Sequence, residues 1–165
     1  MSRHPLAAVG LLSFTYFVTL GLFGPYAPLW FQSLGLSTLL IGGIASLQSW
    51  TRVVAPYGWC WVADHSGRRV FLIRCASAGA FLSSLGLLGV ESAVPVALVT
   101  AALFVANSGV VPLYEAVLAR LLHTQQGTDA ARYGRIRVWG SVGFMLSVIA
   151  FGSLLQWTGV QAFPL

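Results

Sequence analysis

The sequence predicts an all-α integral membrane bundle of about five transmembrane helices plus the start of a sixth. Three observations predict it. Of 165 residues, 57% are hydrophobic and only 8% are charged, whereas a soluble domain carries about 25% charged residues. The apolar residues are gathered into stretches long enough to cross a bilayer, which takes about 20 residues at 1.5 Å each. Between two of these stretches lies a charged turn, Asp64-His65-Ser66-Gly67-Arg68-Arg69. The chain crosses, turns tightly and goes back.

The first span covers residues 6–30. Arg3 and His4 resemble the start of a signal peptide, but the apolar run is longer than the roughly 7–15 residues of a signal core. No small-residue cleavage site follows it, so it reads as a retained span. The second span covers residues 39–62, and Arg52 is the only charged side chain between Pro5 and Ala63. Spans three, four and five cover residues 70–90, 94–119 and 136–157. All are expected to be helices, because lipid offers backbone polar groups no other partner. The alternation of a barrel strand is absent. Residues 156–161 read as a turn, residues 162–165 as the opening of a sixth span, and the ending as a truncation. No repeat or low-complexity linker divides the chain, so residues 1–165 read as one partial N-terminal transmembrane domain.

Charge sets the expected orientation. The loop at residues 32–38 has no charge, and the loop near Ser92 has only Glu91. Eight of the nine arginines (Arg3, Arg68, Arg69, Arg74, Arg120, Arg132, Arg135 and Arg137) fall on the opposite side. Positive charge stays cytoplasmic, which places the N-terminus inside the cell. The net charge of +5 does not point to nucleic acid, because the arginines sit in short loops rather than along one solvated face. Cys60 and Cys75 show neither metal spacing nor a secreted disulfide pattern. His4, His65 and His123 have no ligand spacing. Neither metal nor cofactor is expected.

Polar groups inside the spans are the candidate functional residues. Ser46, Gln48, Ser49 and Arg52 recur at spacings of three and four, which puts them on one helical face. An arginine at mid-span costs about 2.5–3.5 kcal/mol by insertion scales. That stripe is expected to face a cavity or another helix, binding a ligand or pairing with an acid or backbone carbonyls. Span four carries Pro112, expected to bend it, and then Glu115 near its end. In span five, Arg135 and Arg137 are two residues apart and cannot share a face, so one should look inward and the other toward headgroups. Gly134, Gly140, Ser141 and Gly143 permit close helix approach. In span one, Gly21, Gly24, Pro25 and Pro28 give a kinked helix, and Tyr26, Trp30 and Phe31 read as an interfacial aromatic belt. Arg52 and Arg137 set two positive charges against Glu115. The surplus calls for an anionic partner, either a substrate carboxylate or an acid supplied by a further part of the protein. An intramembrane enzyme needs a nucleophile–base pair or metal ligands at membrane depth. Ser46 and Ser49 have no base beside them, so no enzyme is expected.

Asp64-His65-Ser66-Gly67-Arg68-Arg69 resembles the D-x-x-G-R-R loop motif of the major facilitator superfamily, with Cys60 where the family usually has Gly. Gly24-Pro25-Tyr26-Ala27-Pro28-Leu29-Trp30 is similar to the first span of the lactose permease group. Pro112-Leu113-Tyr114-Glu115-Ala116, followed by Tyr133-Gly134-Arg135-Ile136-Arg137-Val138-Trp139-Gly140-Ser141, resembles that group's fourth and fifth spans. The latter stretch, with Arg52 twelve residues before Asp64, is similar to the phenylpropionate permease branch.

The resemblance implies the N-terminal bundle of a twelve-span fold, a secondary transporter of a small organic solute coupled to protons. It implies gating by Asp64, Gly67, Arg68 and Arg69. It implies substrate binding by Arg52, Glu115, Arg137 and Phe144, with Gln48 and Ser49 alongside. Phe144 stands where the lactose permease group has a tryptophan that stacks on the sugar. An aromatic carboxylate is the first expectation for the solute, and a sugar or nucleoside the second. The further partners implied are the lipid bilayer and a missing C-terminal half. The remaining expectation is a membrane remnant that docks to a partner and transports nothing.

Overall fold

A computed structural model describes residues 4–124 and 127–163, and the chain is helical over most of them. The helices are α1 (His4–Ser33), α2 (Thr38–Ser66), α3 (Arg69–Gly86), α4 (Ala93–Ser108), α5 (Val110–Leu122) and α6 (Ala130–Thr158). Short 3-10 turns follow α3 and α6. Two-residue strands, β1 (His123–Thr124) and β2 (Gly127–Thr128), pair antiparallel between α5 and α6. Arg3, Pro164 and Leu165 lie outside the described residues.

Local chemistry sets the helix ends. Ser37 caps α2, its Oγ accepting the Leu40 N–H at 3.3 Å. Asp129 caps α6, Oδ1 accepting the Arg132 N–H at 3.0 Å, and its charge suits the positive end of a helix. This cap starts α6 at Ala130, six residues before the apolar run at Ile136. Gly67 ends α2 at φ 65°, where a Cβ is strained, and its N–H returns to the Ala63 carbonyl at 3.0 Å. Two residues later, at Arg69, α3 begins.

Four helical segments are long and apolar enough to cross a membrane among the described residues: Ala7–Ser33, Arg69–Gly89, Ala93–Leu122 and Ala130–Thr158. At 29 residues α2 is long enough, but Ser46, Gln48, Ser49 and Arg52 lower its apolarity. The faces turned outward are greasy. On α2, Trp50, Tyr57 and Trp61 are 68%, 76% and 64% exposed, a surface that suits acyl chains or another membrane protein and not water. The chain is a multi-pass membrane protein.

Two compact units divide it: residues up to Trp30 with Leu118–Phe163, and Phe31–Val117. In the first unit α1 and α6 are in close contact along a seam of small residues. A Cβ at Gly140 would lie 2.6 Å from the Phe17 ring, one at Gly143 2.6 Å from the Phe14 carbonyl oxygen, and one at Gly21 2.8 Å from that of Phe144. Further along, the Tyr26 hydroxyl donates to the Val148 carbonyl at 2.6 Å beside Gly152. Contacts climb both helices together, from 13–17 with 140–143 to Tyr26 with 148–152. The two helices therefore run in the same direction.

Trp30 is buried in this unit, stacked on Phe163 at 5.4 Å. Phe31, in the other unit, is also buried. The expected interfacial belt is thus corrected: these two rings pack inward, because the end of α1 is covered by protein. In the second unit α3 and α4 form an antiparallel hairpin, Gly79 against Ala106 and Gly86 against Val99. Its core contains Ile44, Leu72, Ile73, Ala76, Val96, Leu103 and Phe104, with α2 laid against α4.

Candidate functional site

The second unit carries the α2 stripe. Ile44, Thr51 and Ala63 are the buried residues of α2. Arg52 is adjacent to Thr51 and therefore borders the packed side rather than pointing directly away from it. Arg52, Ser46 and Ser49 are exposed, and Gln48 is half-buried. The serine hydroxyls donate back along the helix, Ser46 to Gly42 at 2.9 Å and Ser49 to Ala45 at 3.3 Å. Their donors are spent and their lone pairs remain outward. Pro56 lies four residues after Arg52, so the Arg52 carbonyl receives no ladder N–H. A guanidinium and a backbone carbonyl without its helical donor are thus brought together on one turn.

Glu115 is half-buried on α5, one residue after the buried Tyr114. Where a bend is expected at Pro112, the helical hydrogen bonding is interrupted three residues earlier, at Gly109 between α4 and α5. The reason is local. Pro112 has no N–H for the Ser108 carbonyl and its ring crowds that carbonyl, so the helix fails just after Ser108.

The loop motif closes on itself. Arg69 Nη2 lies 2.7 Å from Asp64 Oδ1, which selects Arg69 over Arg68 as the partner of Asp64 in this structure. The Ser66 Oγ accepts the Arg68 N–H at 3.4 Å. His65 Nδ1 donates to the Trp61 carbonyl at 2.8 Å, with the two rings 4.3 Å apart. These bonds hold the end of α2 as a compact, charged knob.

The first unit carries Arg137 and Phe144 on α6. The Arg137 guanidinium lies 6.0 Å from the Phe17 ring centre, and Phe17 is pressed on Gly140 one turn further along. Arg135 and Arg137 are both exposed, and of the two it is Arg137 that lies along Phe17 of α1. Phe144 has an exposed ring, while its carbonyl accepts the Ser147 hydroxyl at 2.8 Å.

Sequence reasoning missed Phe17 and Trp59. Phe17 is one apolar residue among many on α1, and only its position opposite Gly140 marks it. The Trp59 indole N–H donates to the Val105 carbonyl at 3.0 Å. The pairing of Gly109 with Pro112 signals a break, but nothing in the sequence names the side chain that meets it. Among the described residues no group of His, Cys, Asp and Glu has the makings of a metal site.

With this geometry in hand, residues 7–165 match the family described as MFS_1 like family. The chain belongs to that family. It is similar to maltose permease of Geobacillus stearothermophilus, 32% identical over 145 residues, covering 87% of this chain and 36% of that one. It is also similar to the probable 3-phenylpropionic acid transporter of Escherichia coli strain K12, 28% identical over 147 residues, covering 86% and 36%. No solved structure matches. The chain spans little more than a third of the length of either relative. Both are named as carriers of small molecules, and this is a family of transporters, not of enzymes.

Proposed function

We propose that the chain is the N-terminal part of a secondary transporter, a proton-coupled symporter that carries a small aromatic carboxylate across the cell's inner membrane. The observation that carries the reading is the cationic surplus in apolar helices: Arg52 on α2 and Arg137 on α6 against Glu115 on α5. A charge within a membrane helix is tolerated where it borders a water-filled path or a partner. Arg52 and Arg137 hold the anion, Glu115 orients Arg137, Phe144 offers a ring to an aromatic solute, and Gln48 and Ser49 accept or donate beside it. Asp64, Gly67, Arg68 and Arg69 form the inner gate. Transport proceeds by alternating access, two halves rocking around a fixed site. The second half supplies the proton-coupling groups.

Five crossings belong to the proposal. Helices α1 and α6 are parallel, so an odd number of crossings separates them. Counting α3 and the α4–α5 segment alone gives two, which would make α6 antiparallel to α1. Adding α2 gives three. The arginine clusters then lie on one side, cytoplasmic by the positive-inside rule, with the N-terminus.

A sugar is the second reading, favoured by the maltose permease likeness. The test joins the chain to the coding sequence that follows Leu165, giving the complete transporter, and measures uptake of labelled 3-phenylpropionate and of maltose in cells with and without a proton gradient. Gradient-dependent uptake of the acid is expected. Uptake of maltose alone moves the assignment to a sugar. An absent continuation, or no uptake of either solute, leaves a partner-docking remnant.

A further inference from the structure

We propose that Trp59 is a positioning residue for Glu115: its indole braces the break between α4 and α5 and sets the rotation of α5. The inference rests on the reading of Glu115 as part of the substrate site.

The ladder fails twice in succession at this joint. Pro112 leaves the Ser108 carbonyl without a donor. The Gly109 N–H goes to the Asn107 carbonyl instead of that of Val105, four residues back. A carbonyl left unpaired inside a membrane is costly. The Val105 carbonyl is rescued by two donors, the Ser108 hydroxyl at 2.7 Å and the Trp59 indole N–H at 3.0 Å. One comes from the failing turn itself. The other comes from a different helix, α2.

Gly109 shows that the indole is seated there closely. Its backbone is ordinary right-handed helix, φ −78° and ψ −23°, so glycine is not needed for conformational freedom. It is needed for room. A Cβ at 109 would lie 2.5 Å from Trp59 Cγ and 2.7 Å from Cδ1 and Cδ2. The five-membered ring thus fills the space where residue 109 has no side chain.

Gly109 keeps helical dihedrals, but with two ladder bonds lost the joint holds the rotation of α5 less firmly than an unbroken helix does, and the groups that brace it bear on that rotation. Glu115 lies six residues beyond Gly109, and a 30° turn of a helix moves the end of a glutamate, roughly 6 Å off the axis, by roughly 3 Å. That distance separates a made hydrogen bond from a lost one. Trp59 also lies seven residues after Arg52, two turns along the same face of α2. The helix that presents Arg52 therefore also braces the joint below Glu115, and a shift of α2 reaches that joint through the indole.

The test uses the complete transporter in native membrane vesicles. With Cys60→Ser in place, Glu115→Cys is labelled with N-ethylmaleimide, and the native Cys75 on α3 serves as the reference. Adding Trp59→Phe, which keeps a ring and removes the N–H, is expected to change the labelling rate at position 115 at least threefold and leave Cys75 unchanged. Gly109→Ala, which expels the indole while leaving its N–H intact, is the second variant and is expected to do the same. Equal rates at 115 in both variants overturn the proposal. So does a parallel change at Cys75, which makes Trp59 a general prop of the fold. Uptake of labelled 3-phenylpropionate gives the functional arm. Trp59→Phe is expected to raise KM about fivefold with the maximal rate within twofold, and to add nothing in the Glu115→Gln background. Multiplicative losses overturn the positioning role. Undiminished uptake by Glu115→Gln alone overturns the site reading, and the labelling arm then decides the role of Trp59 separately.

Discussion

At the scale of single residues, the charges differ in what they contribute. The Asp64–Arg69 pair is close, at 2.7 Å, but the Asp64 side chain is 65% exposed. An exposed pair contributes about 0.2–1 kcal/mol, too little to anchor the fold, and the proposed gate gives it a role in the transport cycle instead. Asp64→Asn is expected to reduce uptake by the complete transporter severalfold while the melting temperature of the purified protein stays within about 2 °C. A drop in melting temperature with uptake preserved would make the pair structural. Arg137 rides on Phe17, and a cation–ring contact of this kind is worth about 0.5–1 kcal/mol at an exposed site. Phe17→Leu is accordingly expected to weaken solute affinity by about two- to fivefold, read as a shift in the half-saturating concentration. Arg137→Ala is expected to abolish uptake with membrane insertion intact, measured by labelled-solute uptake and by immunoblotting of the membrane fraction. Wild-type uptake by that variant removes Arg137 from the site.

At the scale of elements, the α1–α6 seam is the most demanding packing in the first unit. Gly140 and Gly143 face Phe17 and Phe14 so closely that a methyl group has no space. Overpacking of this kind costs about 1–3 kcal/mol. Gly143→Leu is therefore expected to lower the thermal stability of the detergent-solubilised protein and to reduce its yield, whereas Gly134→Leu, with nothing within 4 Å of its Cβ position, is expected to leave both unchanged. The helices themselves were legible in the sequence, because apolar runs of bilayer length admit no other regular structure. The small residues of span five announced a close approach. The precise partners did not follow, because the choice of neighbour is tertiary: Trp30 and Phe31 carry the composition of a membrane belt and are buried. Pro112 signalled a bend, yet the break falls at Gly109, because the proline acts on the carbonyl of the preceding turn.

At the scale of the whole molecule, the chain belongs to a family of transporters and spans 36% of each of its two relatives. Arg52, Glu115 and Arg137 were legible as candidates because ionisable groups are rare in apolar helices. Phe17 and Trp59 were not, because an aromatic residue in a membrane helix carries no mark of its purpose until its neighbours are placed. Reporter fusions after residues 35, 67, 91, 127 and 160 are expected to alternate between outside and inside, beginning outside after residue 35. Two successive fusions on the same side would remove a crossing and the orientation with it. The transporter reading requires the mid-span guanidinium of Arg52 to border water on the solute's path. Labelling of Arg52→Cys, with Cys60 and Cys75 replaced by serine, in membranes containing the complete transporter tests it directly. A hydrophilic thiol reagent is expected to react at position 52 and to be slowed by 3-phenylpropionate; reaction only with a lipid-phase probe, unaffected by solute, contradicts it.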